Sequence, residues 1–170
     1  AKKSEINAWS GPFIMATANT RVVRRSEALL ALRQESYGPN FTYQEHAFHK
    51  SWFSAFRSLV LTGISVLVLL SPLKRLVKPF LPKPGEGPSE FVQENGWFDC
   101  KFIVETEDGI KSVFNMNGKG DPGYKVTSKL VSECALCLIE EIDNLPGGSE
   151  YGGVLTCASG LGNPLIARLR

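Results

Sequence analysis

The chain has 170 residues, of which 43% are hydrophobic and 21% are charged, a length that suits one folded domain. Its net charge of +2 hides an asymmetry, because residues 1–84 carry twelve Lys or Arg against four acids and residues 85–170 carry seven against thirteen. No DNA- or RNA-binding pattern accompanies the basic half, so nucleic acid is not an expected partner.

The amino-terminal residues predict a turn at residues 9–17 that leads into a short strand. Thr20 is a suitable N-cap, so a helix is predicted from there to about Glu35. The interpretation of its arginines as a solvated helix face competes with an anion-binding surface, because helix starts also favour anions. The residues of that candidate surface are Asn19, Arg21, Arg24 and Arg25.

A turn is predicted at residues 37–40, followed by a strand over residues 41–48. His46 and His49 follow Glu45 closely, which raises the question of a metal site. Positions 46 and 49 of a strand point to opposite faces, so we expect no metal there.

Residues 58–73 contain no charge and are mostly Leu, Val and Ile, and a basic segment without acids follows to residue 83. Sixteen helical residues reach about 24 Å, which is short for a hydrocarbon core of about 30 Å. Trp52, Phe53 and Phe56 would lengthen the apolar run at its amino end. The prolines at positions 72, 79, 82 and 84 would interrupt a helix at its carboxyl end.

We expect this segment to contact a membrane or lipid surface as an insertion at residues 58–83, in the plane rather than spanning. A buried core helix and the interface of a soluble dimer are the alternatives. The predicted contacting residues are Trp52, Phe56, Leu59, Val60, Leu61, Ile64, Val66, Leu67, Leu69, Leu70, Leu73, Leu76, Val77 and Phe80.

The second half predicts a Pro/Gly linker over residues 82–89 and then a hairpin. Its strands cover residues 97–106 and 110–116 and are joined by the turn at residues 107–109. A glycine loop, a helix over residues 124–142, a strand at residues 154–158 and a helix from residue 163 complete the chain. The predicted fold class is α/β, an α+β mixed sheet with packed helices, in one domain over residues 1–170.

Gly118, Gly120 and Gly123 spell GxGxxG, the fingerprint of dinucleotide sites. The preceding strand belongs to a hairpin rather than a parallel unit, and Pro122 removes a donor, so a helix-capping turn is the favoured interpretation. Gly160 and Gly162 begin a weaker match to the same GxGxxG fingerprint. Cys134 and Cys137 have CxxC spacing within a helix, and all four cysteines are predicted to be reduced and buried.

Several stretches together resemble the carboxyl-terminal half of the saccharopine dehydrogenase-like oxidoreductases. They are residues 9–16, 19–26, 37–45, 120–124, 135–138, 152–156 and 165–169. The resemblance implies an NAD(P)-binding Rossmann domain that is missing here, and an apolar insertion that some lipid-droplet or membrane relatives share. It carries over no catalytic residue, and we expect no metal ligand and no cofactor site in this chain. The surface that would face the missing domain or an anionic ligand is the one formed by Asn19, Arg21, Arg24 and Arg25.

The expected function is therefore the second domain of a membrane- or lipid-associated NAD(P)-dependent oxidoreductase-like protein. Its expected partners are a membrane or lipid surface and the missing Rossmann domain or other subunits. Its expected location is intracellular, on a lipid droplet or an organelle membrane such as that of the mitochondrion. The alternative is a non-catalytic structural subunit of a membrane-bound assembly. The chain begins without Met, so we expect a fragment or a processed product.

Overall fold

The computed structural model describes residues 2–3, 8–81, 83 and 85–170. They form a mixed α/β structure with two small sheets and helices, as the sequence predicts in its coarse outline. The chain divides into two compact units, one of Ala1–Leu81 with Val154–Ser159 and one of Pro82–Gly153 with Gly160–Arg170. The assignment of residues 1–170 to one domain stays a prediction. The helix-breaking roles of Pro82 and Pro84 lie outside the described residues.

The first unit holds a three-stranded antiparallel sheet in the order β1-β2-β3. Its strands are β1 (Lys2–Lys3), β2 (Ala8–Gly11) and β3 (Ala47–His49), with Gly11 opposite Ala47. The predicted order at residues 9–17 is wrong, since the strand comes first and the turn follows. The predicted strand over residues 41–48 is mostly wrong, because Pro12 follows β2 and cannot donate the next ladder hydrogen bond.

Helix α1 (Ala16–Ala31) begins four residues before the predicted Thr20 and ends before Glu35. The carbonyl of Phe13 accepts from the Ala16 N–H at 3.1 Å and that of Met15 from Asn19 at 2.9 Å. The preceding turn therefore supplies the acceptors that start the helix, and no side-chain cap is used. Its buried residues are Ser26, Leu29 and Leu30, which lie on one face of the helix.

Helix α2 (Trp52–Leu70) includes most of the apolar run and begins with a capping box. The Ser51 hydroxyl accepts from the Ser54 N–H at 3.2 Å, and the Ser54 hydroxyl accepts from the Ser51 N–H at 3.4 Å. The helix ends at Ser71, just before Pro72. A short helix α3 (Lys74–Val77) and a 3-10 helix (Lys78–Phe80) continue the chain.

The second unit contains helix α4 (Glu90–Asn95) and the predicted hairpin, built from β4 (Trp97–Glu105) and β5 (Lys111–Lys119). The hairpin is confirmed, and β5 extends three residues beyond its predicted end. Gly109 has a φ of +83° in the connecting turn, a conformation that glycine adopts without strain.

Helix α5 (Lys125–Glu140) confirms the predicted helix, and a 3-10 helix (Ile142–Asn144) replaces its last turn. Helix α7 (Gly162–Arg168) confirms the predicted closing helix. The core of this unit joins Cys137 to Leu161 and Leu165, with Cys134 and Leu145 packed against them.

The predicted strand at residues 154–158 is wrong, because helix α6 (Cys157–Gly160) begins there. The Thr156 hydroxyl accepts from the Ser159 N–H at 3.3 Å, and the Ser159 hydroxyl accepts from the Thr156 N–H at 3.1 Å. This reciprocal pair satisfies donors of the helix start and favours helix over strand.

Replacing Leu165, which is 8% exposed, should destabilise the second unit. Leu165→Ala removes apolar contacts with Cys137 and Leu161 and should lower the free energy of unfolding by about 2–3 kcal/mol. Urea titration followed by circular dichroism measures the effect. Ile166→Ala is the matched control, because its side chain is 49% exposed and its loss should cost about 0.5 kcal/mol. Equal losses for the two variants would contradict this core.

Candidate functional site

The predicted membrane-contacting residues lie on α2, on α3 and on the short stretches that follow each of them, and the structure leaves them uncovered. None of the residues of α2, α3 and the 3-10 helix after them is buried. Val66 and Leu69, which a core helix would seal, are 42% and 52% exposed. In the described part of the chain, therefore, no element buries α2 in the way that the core-helix alternative predicts. Among the described residues, α2 is the one helix with the length and composition to cross a membrane.

Aromatic rings mark the beginning of α2. The rings of Trp52 and Phe56 stack at a centroid distance of 5.5 Å with an interplanar angle of 11°. Both side chains are exposed, as is Phe53 between them. The capping box at Ser51 fixes the direction in which the chain enters the helix, so these rings have a defined place at its amino end.

Positive charge marks the residues after α2. Lys74, Arg75 and Lys78 are exposed, and no carboxylate of the described residues forms an ion pair with them. The exposed apolar side chain of Leu76 lies between these cations in the sequence, and those of Leu73 and Phe80 lie on either side of them. We call α2, α3 and the 3-10 helix together the apolar–basic segment, residues 52–80.

The second predicted set, on α1, is divided by the structure. The Asn19 amide donates to a Glu45 carboxylate oxygen at 2.9 Å, and the Tyr43 hydroxyl donates to the other oxygen at 2.7 Å. Asn19 is thus engaged within the chain. Arg21, Arg24 and Arg25 are exposed, and their role toward an anion or another domain stays a prediction.

The two histidines lie on or beside strand β3. His46 is exposed, and His49 lies in β3 opposite Trp9. Gly11 lies flat against the His49 imidazole, since a Cβ on that glycine would come within 3.0 Å of Nε2. No group of three or more His, Cys, Asp or Glu that could hold a metal occurs in the described part of the chain.

The GxGxxG residues form a turn and not a phosphate cradle. The Phe98 ring lies over Gly118, where a Cβ would be 2.5 Å from the ring. The Gly120 N–H donates to the Gly96 carbonyl at 2.7 Å, and the Asp121 carboxylate accepts from the Tyr124 N–H at 2.7 Å. These N–H groups already donate within the chain, and the Asp121 carboxylate beside them would repel a pyrophosphate. The loop therefore does not fit a nicotinamide dinucleotide.

The cysteines are free thiols, but the prediction that all four are buried is half wrong. Cys137 is fully buried and Cys134 is half-buried, so the CxxC pair packs in the core, as predicted. Cys100 and Cys157 are exposed. The pKa of the Cys137 thiol is raised above its ordinary value, first by burial, while the charge of Arg168 opposes the shift.

A buried hydroxyl cluster was not predicted from the sequence. The Ser26 and Thr156 hydroxyls are 2.7 Å apart, and Ser26 also donates to the Val22 carbonyl at 2.9 Å. Ser159 is fully buried, and its carbonyl accepts from Arg33 at 3.0 Å. The contacts attach residues 154–159 to α1. A serine within an apolar helix stripe was the available signal, but its partner lies 130 residues away in the chain.

Comparison with curated proteins finds relatives that cover 95% of this chain. A protein of Mycobacterium tuberculosis strain H37Rv, provisionally named trans-acting enoyl reductase Rv2449c, is 39% identical over 170 residues. Proteins named trans-acting enoyl reductase from Mycobacterium bovis strain BCG and Mycobacterium ulcerans strain Agy99 are each 34% identical over 169 residues. The chain spans 39% of the length of each of these relatives.

No protein-family model matches the chain. No solved structure matches it either.

These relatives correct the interpretation drawn from the sequence motifs. The resemblance to saccharopine dehydrogenase-like oxidoreductases is wrong, because the matching proteins are named as enoyl reductases, a different kind of enzyme. The expected function as the second domain of such an oxidoreductase is therefore also wrong, and so is the structural-subunit alternative. The lipid-droplet and mitochondrial locations lose their basis for the same reason. Short glycine- and proline-containing stretches were too common to identify a family.

Thiol labelling tests the placement of the cysteines. At pH 8, a thiol-reactive reagent should modify Cys100 and Cys157 quickly and leave Cys137 unmodified until the protein unfolds. A raised pKa keeps the Cys137 thiol protonated at this pH, and burial also denies the reagent access. Mass spectrometry of the labelled peptides over time measures the rates. Comparable rates for Cys137 and Cys100 in the folded protein would contradict the packing.

Proposed function

We propose that this chain is a segment of a trans-acting enoyl reductase. The single observation behind the proposal is that three relatives of that name or provisional name align with 95% of the chain at 34–39% identity. An enoyl reductase saturates the carbon–carbon double bond of an unsaturated acyl group. The term trans-acting describes an enzyme that works as a chain separate from the one it serves.

The reaction needs a hydride donor, and we assign this donor to a nicotinamide nucleotide bound outside the described residues. The loop at residues 118–123 does not fit such a nucleotide, because its amides are taken by Gly96 and Gln93 carbonyls. We therefore derive no catalytic step from this segment. Its proposed contribution to the whole protein is attachment and placement near an apolar substrate or surface.

The proposed attachment surface is the apolar–basic segment, and its proposed partner is an anionic lipid membrane. The nineteen-residue helix exposes apolar side chains along about 28 Å, a surface that can lie in the plane of a lipid interface. Trp52 and Phe56 would lie at the headgroup level, where amphipathic rings are favoured. Lys74, Arg75 and Lys78 would each gain about 1 kcal/mol near an anionic surface.

Charge and composition favour a membrane over a second protein chain as this partner. Residues 1–84, which contain the segment, carry twelve Lys or Arg against four acids. The helix itself carries one charge, Arg57, whose long stem can reach toward the headgroups. An in-plane position also keeps α2 next to β2 and β3, with which it is in contact. The proposed location is accordingly a membrane surface.

The enzyme proposal is tested on the protein encoded by the complete gene that contains this chain. The purified protein should convert an enoyl thioester to the saturated acyl product when reduced nicotinamide is supplied, with product identified by mass spectrometry. A protein lacking residues 52–80 should retain some conversion of a short, water-soluble enoyl substrate, because no catalytic group lies there. Absence of saturated product with both NADH and NADPH would contradict the proposal.

The membrane proposal is tested by flotation with vesicles that contain phosphatidylserine. The triple variant Lys74→Gln, Arg75→Gln, Lys78→Gln should bind about 100-fold more weakly, since three contributions of about 1 kcal/mol are removed. The variant Leu67→Asp should also bind more weakly, because it places a charge on the exposed face of α2. Binding should fall with added salt for the unmodified protein.

The matched control changes the same charge elsewhere. Lys101→Gln, Lys111→Gln, Lys119→Gln removes three cations from the β4–β5 hairpin and should leave flotation unchanged. Equal vesicle binding by the two triple variants would contradict a lipid partner. So would an unmodified protein that does not bind vesicles and forms dimers.

A further inference from the structure

The β4–β5 hairpin has one face made of apolar and small side chains. Pairing sets Phe102 opposite Phe114 and Cys100 opposite Met116, and alternate residues of a strand share a face. The face contains no charged residue. Its members are Phe98, Cys100, Phe102, Val104, Ser112, Phe114, Met116 and Gly118.

The opposite face of the same hairpin carries all of its charged residues. Asp99, Lys101 and Lys119 lie there with the ion pair of Lys111 and Glu105 at 3.3 Å, together with the apolar residues Trp97, Ile103 and Val113. Asn115 and Asn117 also lie on this face. This alternation is typical of a sheet whose one side faces water and whose other side packs on protein.

The apolar face is nevertheless uncovered. Phe102 is 41% and Phe114 is 57% exposed, and Met116 and Val104 are exposed as well. The face is ordered, because the Phe98 ring lies directly on Gly118. A two-stranded hairpin alone is at best marginally stable in water, so a covering element is physically required.

The size of the face decides which element covers it. Nine residues per strand give a length of about 30 Å, and two strands give a width of about 10 Å, so the face offers roughly 300 Å². A stable complex of separate chains needs about 800 Å² per partner. A second copy bound here would therefore be weak, whereas an element of the same polypeptide binds at high effective concentration.

Lipid is disfavoured at this face by charge. Residues 85–170 carry seven Lys or Arg against thirteen acids, so an anionic surface would repel the unit that contains the hairpin. The face also contains no cationic residue, unlike the stretch that follows α2.

We infer that an amphipathic helix of the same polypeptide, from a part of it outside residues 1–170, covers the apolar face of β4–β5. The inference rests on the proposed function, because the enoyl reductases that the chain matches are longer and this chain spans 39% of their length. Helices are the usual cover for one face of an antiparallel sheet in α+β proteins. The expected helix presents uncharged apolar residues around the Phe102–Phe114 pair.

Site-specific photo-cross-linking on the complete gene product tests this inference. Phe114→p-benzoylphenylalanine replaces one exposed aromatic ring by another, so the hairpin should tolerate it. After irradiation, peptide mass spectrometry should join position 114 to a residue outside 1–170 in a product of monomer mass. Asn115→p-benzoylphenylalanine is the matched control, because that neighbouring residue lies on the charged face and should give no such product.

Four results would overturn the inference. They are a dimer-mass product, a cross-link confined to residues 1–170, equal cross-linking from positions 114 and 115, and a complete reading frame no longer than this chain. Enoyl reduction is assayed on the unsubstituted protein in parallel. A cross-link without enoyl reduction would refute the proposed activity and leave the covered face intact. Enoyl reduction without a cross-link would refute the covered face alone.

Discussion

The stability of this structure depends on how its exposed apolar surface is covered, because that surface is large and the buried apolar core is small. Helix α2 buries none of its nineteen residues, while the buried apolar side chains of the described residues are Leu29, Leu30, Cys137, Leu161 and Leu165. Soluble proteins rarely leave contiguous apolar surface of this extent in water. The stability of the folded chain therefore depends on the partners that cover α2 and the β4–β5 face.

The two uncovered surfaces differ in their borders, and the borders indicate different partners. Aromatic rings and unpaired cations lie at the ends of α2, an arrangement that matches the interface between lipid and water. The β4–β5 face contains no cation, and its reverse side carries an ion pair and amides suited to water. These borders are the reason for proposing a lipid partner for α2 and a protein partner for the β4–β5 face.

Local signals in the sequence predicted the elements whose stabilisation is local. The hairpin followed from alternation and from the turn at Gly109, and α5 followed from its apolar period. The strand predicted over residues 41–48 failed because its partner β2 ends at Gly11, before Pro12, which lies outside the predicted strand. The apolar run that forms most of α2 could be recognised from composition, whereas the link of Ser26 to Thr156 spans 130 residues and could not. Family identity failed because each motif is short.

The central claim is that lipid covers α2, and the emission of Trp52 measures it most directly. In a protein carrying Trp9→Phe and Trp97→Phe, Trp52 is the remaining tryptophan, at the start of α2. Vesicles made with brominated phosphatidylserine should quench its emission and shift it to shorter wavelength, while unbrominated vesicles should produce only the shift. Emission that is unchanged by either kind of vesicle would contradict the account.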